Sequence, residues 1–188
     1  MTGQLHLERV GRGILLALAG LGLGLIIVWA LALQSKDGGW AAFDRDNDRL
    51  FLKHAPFADF MSPLDPTCAD VTAHVLEFLA EVRPHSVESE RAVLNLKATQ
   101  EPDGAWYGRW GVNYLYGTGL ALVGLAAAGQ DPQQPFMQRA AAWLAAKQNP
   151  DGGWGETCET YVDPTLRGRG PSTASQTAWA LLGLLAAG

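Results

Sequence analysis

WLAAKQNPDGGW, residues 143–154, has two counterparts that align with it without gaps: WALALQSKDGGW at 29–40 and NLKATQEPDGAW at 95–106. The shared core is Gln-x-x-Asp-Gly-x-Trp, at Gln34 to Trp40, Gln100 to Trp106 and Gln148 to Trp154. Apolar residues at helical spacing precede the Gln, as with Ala141, Leu144 and Ala145. Pro-Asp-Gly at 102–104 and 150–152 then forbids continuation, and the glycine supplies the permissive backbone of a tight turn. The Trp beyond the turn is expected to fold back on the Gln amide, its indole N–H finding a carbonyl. Each unit thereby ties a helix end to the start of the next element. The copies are separated unequally, so the chain reads as a repeat array with insertions.

Between the turns, helices are the supported elements. Thr72 to Arg83 is amphipathic through Val71, Val75, Leu76 and Leu79, with Asp70 as the expected N-cap and Pro84 closing it. Further helices are expected from Ser86 or Ser89 to Thr99, from Asn113 to Ala128 before Gly129, from Pro135 to Gln148, and from a Ser172 cap to Ala187. No stretch alternates with period two. The fold class is all-α, built from helix pairs.

Composition narrows the function. Of 188 residues, 48% are hydrophobic and only 18% charged, where a soluble domain carries about a quarter charged residues. A net charge of −5 without a basic cluster argues against nucleic acid as a partner. Cys68 and Cys158 are too few and too far apart for a disulfide scaffold or a zinc site. His6, His54 and His85 fit no ligand spacing, and Gly117-Thr118-Gly119 lacks the strand and lysine of a phosphate loop. No metal and no cofactor is implied.

Residues 1–33 stand apart from 34–188. From Gly13 to Leu33 no side chain is charged, and Arg9 and Arg12 precede the run. That pattern suits a membrane anchor with its N-terminus inside. Ala30-Leu31-Ala32 also resembles a signal-peptidase site, although the first repeat begins inside the same segment. The third reading is a buried helix of the repeat array, suited to tight packing by its small residues.

The repeats resemble the QW repeats of the triterpene cyclases, the squalene–hopene and oxidosqualene cyclases. The resemblance extends to GAWYGRWGVNYLYGTG at 104–119, GGWAAFDRDN at 38–47, PFADF at 56–60, DVTAHVL at 70–76 and STASQTAWALL at 172–182. It covers the chain from about Trp29 onward. It implies an α/α barrel and protonation-initiated polycyclisation of squalene or a related polyprene in an apolar cavity. Such an enzyme is an isomerase, an intramolecular transferase of triterpenoid (hopanoid) biosynthesis. It would lie monotopically on a membrane surface such as the bacterial inner membrane.

The resemblance also assigns residues. His74 matches the histidine that hydrogen-bonds the initiating acid, where an imidazolium makes that acid a stronger proton donor. Asp70, one turn earlier, is expected to hold the His74 ring and keep it charged. By residue type alone, the same pair reads as an N-cap followed by a core histidine. Trp110 and Tyr116 match cavity residues near the acid, and Phe57 and Phe60 match aromatic positions deeper in it. Phe43 stands where Tyr is common and Ala58 where Cys is common, so the water network returning a proton to the acid is altered. Aromatic faces stabilise a migrating carbocation without trapping it, by about 2 kcal/mol or more each when desolvated.

The family's acid lies in an Asp-x-Asp-Asp motif that none of the 188 residues form; Asp44-x-Asp46 runs into Asn47. The expectation is therefore an incomplete slice of the barrel, inactive by itself and prone to self-association through uncapped faces. Its protein partner would be a second copy or a complementary cyclase chain. The alternative function is a non-catalytic, membrane-associated QW-repeat module that binds lipid or such a chain.

Overall fold

A computed structural model describes residues 2–49 and 64–188, with side chains described from residue 16 onward. The chain divides into two compact units, Met1–Leu33 and Gln34–Gly188. The first is a single helix, α1, Thr2–Ala32. Among the described residues no helix is long and apolar enough to cross a membrane.

Among its described residues the second unit holds five α-helices: α2 Ala69–Val82, α3 Val87–Thr99, α4 Tyr114–Ala127, α5 Pro135–Ala146 and α6 Ala174–Ala186. Two 3-10 turns, Cys158–Tyr161 and Pro164–Leu166, interrupt the stretch before α6. The described residues are all-helical, with no strand beyond an isolated antiparallel bridge between Asn47 and Asp65. Two caps differ from the sequence expectation. Cys68 is the N-cap of α2, so Asp70 sits inside the first turn. Thr173, not Ser172, caps α6, its hydroxyl accepting from the Gln176 N–H. Ser172 instead donates to the carboxylate of Asp151. Ser86 caps α3 by accepting from the Ser89 N–H.

Helix α4 lies at the centre, packed against α2, α5 and α6, with ten of its fourteen residues buried. Its glycines make that possible. A Cβ at Gly124 would collide with the Ala73 carbonyl, and one at Gly119 with that of Trp179. The helices therefore approach backbone to backbone, and Leu76, Leu79, Leu96, Leu115, Leu122, Leu125, Met137 and Leu144 close the core around them.

The three Gln–Trp turns share one hydrogen-bond scheme. The Gln amide donates to the carbonyl of its own turn glycine: Gln34 to Gly38, Gln100 to Gly104 and Gln148 to Gly152. The Asp carboxylate accepts from the N–H two residues on, at Gly39, Ala105 and Gly153. The Trp backbone N–H donates to a threonine in the following helix: Trp40 to Thr72 (2.9 Å), Trp106 to Thr118 (2.9 Å) and Trp154 to Thr177 (3.0 Å). The indoles of Trp106 and Trp154 donate to the Leu96 and Leu144 carbonyls, both at 2.7 Å.

The Gln reaches further than the next element. Gln34 also donates to the Glu88 carbonyl in the first turn of α3, and Gln100 to that of Phe136 in α5. Arg91 and Arg139 return the contact by donating to the same two Gln side-chain oxygens. The end of α3 is thus fastened to the start of α5, skipping α4. The third turn differs: Gln148 is exposed, and a Cβ at Gly152 would meet nothing within 4 Å.

Candidate functional site

The segment between the second turn and α4 carries Trp110. Its backbone N–H donates to Asp70 Oδ2 at 2.8 Å, and Asp70 is fully buried. The indole, half exposed, meets the ring of Phe43 edge-on, with centroids 5.4 Å apart and planes at 89°. Phe43 is 69% exposed, yet its backbone is held. Asp65, itself buried, accepts at Oδ2 from the N–H groups of Phe43 (2.6 Å) and Asp44 (2.9 Å), and at Oδ1 from Ala42 (3.3 Å). Arg109 donates to the Leu64 carbonyl at 3.0 Å, its guanidinium 5.8 Å from the Trp110 ring centroid. Two large aromatic faces are therefore presented outward while buried carboxylates fix the backbone behind each.

Tyr116, in the first turn of α4, packs edge-on against Trp179 at 4.6 Å. Burial, and after it the negative charge of Asp70, pushes its phenol above the ordinary value. Cys68 lies close to the same carboxylate; burial, reinforced by Asp70, pushes its thiol far up, so it stays a protonated, inert group. Tyr107 stacks edge-on with Tyr114 and Tyr161 at 5.7 and 6.1 Å, and the Arg167 guanidinium lies 4.5 Å from the Tyr114 ring centroid.

The expected Asp70–His74 pairing is not formed. Asp70 Oδ2 serves Trp110 and Oδ1 has no hydrogen-bond partner, while His74 is 54% exposed with its Nδ1 3.9 Å from Glu77. The reason is competition for the carboxylate: Asp70 is fully buried and engaged by the Trp110 backbone N–H, whereas His74 lies on the exposed side of α2 beside Glu77. Phe57, Phe60 and Ala58 lie outside the described residues. The structure thus joins Asp70, Trp110 and Phe43, sets Tyr116 on the following helix, and turns His74 outward.

Several anchors went unread in the sequence. Asp65 and Glu156 are buried carboxylates spent on backbone N–H groups, and Gln176 bridges backbone of two segments. The three threonines did leave a signal: TAHVL at 72–76, TGLAL at 118–122 and TAWAL at 177–181 share a Thr followed by a small residue and, four positions on, Leu. Their distances from the Trp residues vary, so the period of the turns does not find them.

The family model described as squalene-hopene cyclase C-terminal domain matches residues 24–188. A squalene–hopene cyclase of Alicyclobacillus acidocaldarius is 51% identical over 162 residues, 85% of this chain and 26% of that protein. A probable squalene–hopene cyclase of Sinorhizobium fredii is 48% identical over 164 residues, 85% and 25% respectively. A dammaradiene synthase of Dryopteris crassirhizoma is 44% identical over 181 residues, again 85% of this chain and 26% of its own. The chain spans about a quarter of the length of these curated relatives.

Proposed function

Because the chain belongs to the squalene-hopene cyclase family, we propose that it supplies part of the wall of a polyprene-cyclising cavity. The observation that carries this reading is the pair of outward aromatic faces, Phe43 and Trp110, braced by Asp65 and Asp70. A cation formed along a folded polyprene needs negative potential without a nucleophile, and the face of an aromatic ring offers both conditions. Fixing the rings beforehand matters, because stabilisation that requires no reorganisation at the moment of reaction lowers the barrier most. Buried carboxylates engaged by backbone N–H groups hold the rings without exposing an oxygen that would capture the cation.

The substrate is squalene or a related polyprene, taken from a membrane surface, and the reaction is an isomerisation begun by proton transfer to a terminal alkene. Tyr116, kept protonated, Trp110 and the Phe43 ring against it line the part of the cavity nearest the acid, and the family match assigns Phe57 and Phe60 to deeper positions. His74, exposed on α2, faces outward toward the acid-bearing part of a complete barrel. That acid is an Asp-x-Asp-Asp aspartate contributed outside these 188 residues, since the motif does not occur within them.

The purified chain incubated with squalene in detergent is expected to give neither hopene nor hopanol. Mixed with a polypeptide carrying the acid motif and the remaining repeats, it is expected to give cyclised product, lost in a Trp110→Ala variant. Product from the chain alone would overturn the dependence on an external acid. A mixture that binds but never cyclises squalene would overturn the cyclase reading.

A further inference from the structure

Residues 109–113 form no helix, yet they carry Trp110. A non-regular segment must satisfy its backbone polar groups elsewhere, and here four distant side chains do so. Asp70 accepts from the Trp110 N–H (2.8 Å). The Tyr161 hydroxyl lies in donating range of the carbonyls of Gly111 (2.8 Å) and Arg109 (3.1 Å). Gln176 Nε2 donates to the Val112 carbonyl (3.1 Å). Glu156 Oε2 accepts from the N–H groups of Asn113 (3.3 Å) and Leu115 (2.8 Å).

The last of these is unusual for its source. Asn113 is the N-cap of α4 and a residue type suited to capping, but its side chain makes no cap hydrogen bond, and both of its amide atoms lack a partner. The cap is supplied by Glu156, 43 positions along the chain, where the helix macrodipole favours a carboxylate. Glu156 is in turn locked by Gln176, whose amide accepts from the Glu156 N–H (3.0 Å) and donates to its carbonyl (2.9 Å). Three of the four supports thus come from the stretch that follows the third Gln–Trp turn.

We propose that Glu156 and Tyr161 are positioning residues for Trp110, fixing its indole by clamping the backbone on its C-terminal side and at α4's start. The catalytic relevance rests on the reading of Trp110 as a cation-facing wall; the placement itself does not. Without the clamp, the carbonyls on both sides of Trp110 and the entry to α4 would lose their ties. The segment would be left to Asp70, Gln176 and the Arg109–Leu64 contact, and the half-exposed ring would sample several orientations. Tyr161 pins the two carbonyls flanking the indole, and Glu156 sets where the segment enters α4.

The test uses the full chain labelled with 5-fluorotryptophan and read by fluorine NMR, with the Trp110 resonance assigned through W110F. Glu156→Ala and Tyr161→Phe are expected to shift or broaden the Trp110 resonance and increase its solvent isotope shift. The Trp40 and Trp143 resonances should stay in place. Glu156→Gln, which keeps a carbonyl oxygen for the Leu115 N–H, is expected to restore most of the native Trp110 signal. An unchanged Trp110 resonance in folded E156A and Y161F would overturn the proposal. So would a shift of every tryptophan alike that E156Q fails to rescue, which marks a merely structural role. Should E156A not fold, Y161F decides alone: an unmoved Trp110 resonance overturns the proposal. The readout is blind to catalysis, so a chain that cyclises nothing leaves this inference standing, and the converse holds as well.

Discussion

The fully buried carboxylate of Asp70 holds the backbone N–H of Trp110 at 2.8 Å, across 40 positions of sequence. A hydrogen bond to a charged group contributes about 1.5–3 kcal/mol, and this one joins α2 to an irregular segment. Asp70→Ala is therefore expected to lower stability by about 1–3 kcal/mol, with a red-shifted Trp emission as the indole loosens. Asp70→Asn keeps an accepting oxygen and should lose less. His74→Ala, at an exposed site, should stay within about 0.5 kcal/mol of the native chain. Denaturant titration of the three variants checks the order; a His74→Ala loss equal to that of Asp70→Ala would contradict it.

The threonines that receive the Trp backbone N–H groups form a second testable set. Thr118→Val is nearly isosteric but leaves the Trp106 N–H buried without an acceptor, a cost of about 1–3 kcal/mol. Thr118→Ser retains the oxygen and removes only a methyl, about 1 kcal/mol. Urea midpoints in which Val is no worse than Ser would show that the hydrogen bond contributes nothing.

Three turn glycines share a left-handed backbone, with φ of +90° at Gly38, +103° at Gly104 and +85° at Gly152. Substitution by Ala costs about 1 kcal/mol or more at each for the backbone conformation alone. At Gly38 and Gly104, the added Cβ would also lie 2.5 and 2.7 Å from the carbonyls of Arg91 and Arg139, where Gly152 has open space. Gly38→Ala and Gly104→Ala should therefore lose about 1–3 kcal/mol more than Gly152→Ala, as expected of overpacking. Equal losses in thermal unfolding would contradict this.

Tyr161 gives an alkaline signature. Burial, then the neighbouring Tyr107 and Asp70, pushes its phenol from 10.0 up to about 12. Between these values the unfolded chain has released the proton and the folded chain has not, so stability falls as pH rises through the window. Below about pH 10 the group is protonated in both states and adds no slope. Tyr161→Phe should flatten part of the decline, measured by melts at successive pH values. An unchanged slope would count against the burial of this phenol.

Much of the fold was legible because it is written in local chemistry. Pro-Asp-Gly stops a helix wherever it occurs, apolar spacing marks a buried face, and a Gln-x-x-Asp-Gly-x-Trp unit closes the same hydrogen bonds in each copy. The longer segments, GAWYGRWGVNYLYGTG above all, were enough to carry the family, and residues 24–188 match its C-terminal domain. Helix caps were less legible. Cys68 and Thr173 took posts that residue type assigned to Asp70 and Ser172, and at α4 the capping hydrogen bonds come from the distant Glu156 although Asn113 holds the N-cap position.

What the sequence by itself determined is the helical class, the turns that organise it and the aromatic residues available for a cation. Only the tertiary structure decided their partners. A helical period places Asp70 and His74 one turn apart, but the arrival of the Trp110 segment pairs the buried Asp70 with a backbone N–H and leaves His74 exposed. Phe43 and Trp110 are far apart in sequence and meet because Asp65 and Asp70, from other segments, fix the two backbones beneath them. Such contacts depend on how helices pack in three dimensions, and no spacing along the chain encodes a partner supplied by a different turn of the fold.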